Sequence, residues 1–138
     1  MSLLTSAPDG YALVGWRGLL GASLVVWLAP AAIAALLLAL QFLTGTRDLG
    51  GIWAMAWAYS MLLVLTPLLS WFLMVIAAPF VAALLNRGWF GWLPALLLGM
   101  AMGGLVGMLV GSDLPLSLGA LLVLALRGML GWWHPAAF

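Results

Sequence analysis

Arg17, Arg47, Arg87, Arg127, Asp9, Asp48, Asp113 and His134 are the whole charged and imidazole-bearing set of this sequence, and Tyr11 and Tyr59 are its only phenols. General acid-base work needs two such groups converging on one atom, and a metal site or nucleophilic triad needs three or four. Here they fall singly or in small groups that long apolar runs separate. Each aspartate lies in a turn or connection within two residues of glycine, proline or serine, where a carboxylate serves as a helix cap, and none is expected at the mid-membrane depth that proton-coupled transport uses. With no cysteine there is no thiolate nucleophile, thiolate zinc site, iron-sulfur cluster or disulfide. A single histidine also excludes a bis-histidine haem within one copy of the chain. No catalytic residues, metal site or cofactor are expected, and the chain reads as a non-enzyme.

Arg127 is the charge with most chemical interest. It follows Asp113 by 14 positions, about 21 Å along a helix. An arginine at a helix centre costs about 3 kcal/mol on insertion scales, and leucines return roughly 0.5 each. The eight leucines between Leu114 and Leu130 therefore let the segment insert. The expected role is a snorkelling side chain that meets lipid phosphate, with an anion or a partner's carboxylate as the alternative. Arg17, Arg87, Trp132, Trp133 and His134 read as headgroup-level anchors that touch lipid or a partner. A quinone, pigment, haem or metal contact at His134 would need a second subunit.

The elements that carry these residues follow from composition. The 138 residues are 67% hydrophobic and 5% charged, with no lysine or glutamate and a net charge of +1; mean hydropathy is +1.28. Soluble domains carry about a quarter charged residues, so this is an integral membrane protein, all-α and polytopic. The charge leaves no basic patch for nucleic acid. The lipid bilayer is the first partner, with bound lipid expected, and other membrane subunits or copies of the chain are the second.

Residues 1–18 read as an N-terminal interfacial segment in which Pro8, Asp9 and Gly10 turn into a short helix over 11–16. Residues 19–138 read as a single transmembrane domain of about four helices, with crossings near 19–43, 52–86, 92–111 and 114–133. The first apolar run is about 26 residues, longer than the roughly 7 to 15 of a signal-peptide core, so cleavage is not expected. The second run would be about 54 Å long as one helix against a hydrocarbon core of about 30 Å. It is read as an interfacial start around Trp53, Trp57 and Tyr59 followed by a crossing kinked at Pro67 and Pro79; a division near Pro67 into two short segments is the alternative. Gly45 and Gly88 suit helix ends, and Asp48 and Asp113 suit N-caps. Gln41, Ser60, Thr66 and Ser70 are expected to bond across helices or to their own backbone.

From Gly91 a small residue returns at every fourth position: Gly91, Ala95, Gly99, Gly103, Gly107, Gly111. Residues four apart share a helix face, so the row forms a groove along which another helix can approach closely. Each step overshoots a full turn by roughly 40°, so the two ends of the row should face different neighbours. One of these is the fourth helix, around Ser117, Gly119, Ala120 and Leu124, because the Ser112–Asp113 turn is short.

Four crossings place both termini on one side, and the positive-inside rule makes it cytoplasmic: Arg17, Arg87 and Arg127 against Arg47. Arginine as the sole basic residue, with the Ala/Leu/Gly/Trp richness, suits a bacterial inner membrane. The sequence favours a small accessory or assembly subunit of a larger membrane complex. The alternative is a homo-oligomeric channel, holin-like protein or transporter, against which no helix shows a polar stripe that could line a wet pore.

Overall fold

The structure, a computed structural model, describes residues 3–46 and 50–138, without the side chains of Thr66, Leu68, Leu69, Ser70, Phe72, Leu73, Val110 and Leu114. The expectations for Arg47, the Asp48 cap and the Thr66 and Ser70 hydroxyls lie outside the described residues. The apolar runs form α1 (Gly10–Thr44), α2 (Gly51–Asn86), α3 (Trp92–Val110) and α4 (Leu114–Trp133), followed by a short 3-10 turn, Pro135–Ala137. No strand occurs among the described residues. Three helical stretches are long and apolar enough to cross a membrane: Gly10–Thr44, Trp92–Leu109 and Pro115–Trp133. The second run is one helix in its backbone, and its described parts Gly51–Leu65 and Met74–Asn86 are apolar.

The expected short helix near the N-terminus and the first long apolar run join in α1 with a single break. Gly15 has φ 66° and ψ 164°, which breaks α1 into a first turn and a long remainder. That conformation is open only to glycine. Pro30 stays within the helix, as expected. The chain divides into two compact units, residues 1–26 with 73–138, and residues 27–72.

In the first unit a core gathers Val14, Leu19, Val81, Leu85, Phe90, Ala95, Leu126 and Leu130. Residues 3–7 lie across its end and satisfy backbone groups that helix termini leave open. The Leu93 amide in the first turn of α3 donates to the Leu3 carbonyl (2.9 Å), the Ser6 amide to the Gly88 carbonyl (2.8 Å), and the Phe90 amide to the Ser6 hydroxyl (3.3 Å). The Ala7 amide donates to the Ala137 carbonyl (2.9 Å).

Gly88 ends α2 in the left-handed conformation, φ 69°. The Trp89 amide reaches back to the Leu84 carbonyl (2.8 Å) and the Gly88 amide to Leu85 (3.1 Å). This is the glycine stop expected at Asn86–Gly88. A methyl group here would also stand 3.3 Å from the Ser6 carbonyl oxygen. Gly88→Ala should therefore destabilise the protein by about 1–2 kcal/mol, the left-handed penalty of a side chain. A lowered denaturation midpoint in mixed micelles checks it.

The short turn after Gly111 makes α3 and α4 antiparallel neighbours. Asp113 occupies the N-cap position of α4, but its side chain makes no capping bond; only its carbonyl accepts, from the Leu116 amide (3.2 Å). Its backbone is α-helical there (φ −83°, ψ −11°) rather than extended. An extended backbone is what lets an N-cap side chain fold back on its helix.

Candidate functional site

Arg127 is 0% exposed, the largest fully buried side chain among the described residues. Nε, Nη1 and Nη2 are all buried, and no oxygen of the described chain accepts from them. This departs from the expected snorkelling arginine at the lipid surface. Cβ atoms on a helix tilt toward its N-terminus, yet this side chain runs the other way. Its Nη1 stands 2.8 Å from where a Cβ on Gly131, one turn further on, would be. The guanidinium occupies space that only a glycine leaves free. It runs along its own helix, toward the C-terminal end of α4, inside the protein.

Two aromatic rings meet it there. Cζ lies 3.7 Å from the centroid of Phe138 and 5.1 Å from that of Trp92 in the first turn of α3. Phe138 is in turn backed by Phe90, with ring centroids 6.4 Å apart and planes at 52°. Ring faces attract a cation but accept no conventional hydrogen bond, so the arrangement holds the charge and leaves five N–H donors open.

The other expected anchors do not converge on this point. Arg17 and Arg87 are exposed, as are Trp132 (81%) and Trp133. His134 is half-buried with its backbone closing α4 onto the Leu130 carbonyl (2.8 Å). Its Nε2 lies 2.9 Å from the position of a Cβ on Gly18. Among the described residues no three His, Cys, Asp or Glu side chains form a group that could hold a metal.

The small residues divide by neighbour. A Cβ on Gly99 would run into the Gly119 carbonyl oxygen and stand 2.7 Å from the Ala120 Cα; one on Gly103 would run into the Pro115 carbonyl; one on Gly107 would stand 2.7 Å from the Ser112 carbonyl oxygen. These three positions face α4 and the turn before it. Gly91 faces the non-helical N-terminal segment instead, where a Cβ would stand 2.6 Å from the Leu3 carbonyl oxygen, a partner no helical periodicity announces. Ala95 is buried in the core. Gly111 ends α3 at φ 69°, and a Cβ there would meet open space.

In the second unit, Leu37, Leu40, Gln41, Thr44, Trp53 and Ser60 line an open apolar groove of about 260 Å³. Gln41 and Ser60 are buried, and Gln41 Oε1 has no hydrogen-bond partner. The Thr44 hydroxyl donates to the Leu40 carbonyl (2.8 Å).

Trp92, Gly131 and Phe138 escaped the sequence reading as a group around Arg127. Only Gly131 carried a signal, four residues from the arginine on one helix face. The all-helical chain, with three helices long and apolar enough to cross a membrane, has the character of an integral membrane protein. No family model, curated protein or solved structure matches it.

Proposed function

We propose that this protein is a small, non-catalytic accessory or assembly subunit of a larger complex in a bacterial inner membrane, crossing the bilayer four times with both termini in the cytoplasm. The observation that carries the reading is the outward surface of α1. Of its most apolar window, 11% is buried within the chain, against 28% for the fourth helix. Leu28, Ile33, Leu36, Phe42 and Leu43 all face outward. A helix that leaves so much surface uncovered by its own chain is suited to lipid and to neighbouring subunits. The hydrogen bond between Ala7 and Ala137 supports a common side for the termini, and the arginine distribution supports the cytoplasmic one.

The homo-oligomeric channel or transporter is weakened by how the glycines are used. Gly99, Gly103 and Gly107 lie against α4 and its turn, which leaves that part of the groove unavailable to a second copy. The test is the composition of the particle extracted from its native membrane in mild detergent. Other polypeptides in fixed ratio are the expected result. A homo-oligomer without companions that carries ion or solute flux in liposomes would replace this reading with the channel.

A further inference from the structure

We propose that the Arg127 guanidinium is the receptor for one phosphate group, supplied by an anionic phospholipid at the headgroup end of α4. This deepens the reading of Arg127 as a lipid contact and rests only on the chain being embedded in a membrane. A buried charge with no counter-ion is among the most unfavourable states a protein interior can hold, and each unmet buried donor adds to it. Cation–π contact with two rings offsets part of this and meets none of the N–H groups. All three guanidinium nitrogens are unpartnered together, so the missing acceptor is a single group with several oxygens.

A phosphate fits in charge and geometry, since it offers several acceptor oxygens to the guanidinium fork. It also fits in place. Arg127 lies six residues before Trp133, about 9 Å along the helix. The side chain spans part of that distance by running over Gly131. The exposed Trp89 and Trp132 mark the level where lipid phosphates sit.

Phe138 is the wall through which the group would enter. It follows the short turn Pro135–Ala137, which is held by the Ala7 to Ala137 bond (2.9 Å) and by the Ala137 amide on the His134 carbonyl (2.9 Å). That ring lies over the guanidinium and belongs to no helix. The exposed Arg17 and Arg87 have no such enclosure and meet headgroups only as any surface arginine does.

The experiment uses the full chain, delipidated in a phosphate-free maltoside detergent, and reads bound ligand by native mass spectrometry and stability by thermal unfolding. Phosphatidylglycerol, diacylglycerol with the same tails, and inorganic phosphate are added separately. The expected result is one phosphatidylglycerol per chain with a raised unfolding temperature, and no comparable effect of diacylglycerol. Arg127→Met should weaken that binding roughly ten- to a hundredfold, the loss expected for charge-assisted hydrogen bonds. Gly131→Val, which keeps the charge but fills the space of Nη1, should weaken it similarly, and Arg17→Gln and Arg87→Gln should not.

Stabilisation by inorganic phosphate alone, lost in Arg127→Met, would keep the phosphate site and overturn its lipid source. Equal binding of diacylglycerol, or unchanged phosphatidylglycerol binding in both Arg127→Met and Gly131→Val, would overturn the proposal. A chain released from membranes by carbonate without detergent would fail the membrane reading itself. One that needs detergent yet binds no phosphate fails only the present inference.

Discussion

Gly103→Leu should separate α3 from α4 and lower stability by about 3 kcal/mol or more, at or beyond the upper end of overpacking penalties. Already its Cβ would overlap the Pro115 carbonyl oxygen and stand 2.8 Å from the Leu116 Cα. Those atoms are helix backbone and cannot move aside by changing rotamer, so the helices must part. The neighbouring Gly104 provides the contrast: a Cβ there meets only the Leu116 Cδ1 at 3.8 Å. Gly104→Leu should lie within about 1 kcal/mol of the parent protein. Denaturation midpoints of the three proteins in mixed micelles decide the matter, and equal midpoints would remove close α3–α4 packing from the account.

Phe90→Ala should be comparably damaging, about 3–5 kcal/mol. Phe90 is 0% exposed, and its ring backs Phe138, which in turn rests on Arg127. Truncation opens a cavity where three pieces of chain meet: the α2–α3 loop, the N-terminal segment and the C-terminal turn. Trp89, its neighbour in the same loop, is 63% exposed, and Trp89→Ala should change stability by no more than about 0.5 kcal/mol. The same denaturation series separates the two, and similar losses for both would mean that the aromatic belt acts as one surface rather than as a core residue beside an anchor.

Much of the secondary structure was legible because its causes are local. Apolar runs bounded by Gly45, Gly88 and Gly111 became helices that end at those glycines, each with a positive φ, since a left-handed helix stop depends on one residue's lack of a side chain. Pro94 and Pro115 sit in first turns for a similarly local reason. Asp113 shows the limit. Its residue type suited a cap, but the tight α3–α4 turn gave its backbone a geometry in which the carboxylate makes no capping bond.

The non-helical segment over residues 3–7 was not legible, because its role is to supply one carbonyl, two amides and one hydroxyl to bonds with distant backbone, and such bonds leave no periodicity. The Arg127 enclosure was half legible. The arginine stood out by charge, and Gly131 by spacing, whereas Trp92 and Phe138 come from the far end of another helix and from the last residue.

By itself the sequence determined the all-helical, membrane-suited character of this chain, the positions of most helix ends and the presence of one arginine within the fourth apolar run. These rest on hydropathy and single-residue conformational preference, both properties of short stretches. Tertiary structure decided that Gly91 meets a non-helical segment and not a helix, that Gly99, Gly103 and Gly107 face α4 and the turn before it, and that Arg127 is enclosed by rings. Those outcomes depend on which surfaces come together, and in a chain that is apolar on nearly every face hydropathy does not distinguish one pairing from another; shape does, through the presence or absence of a single Cβ.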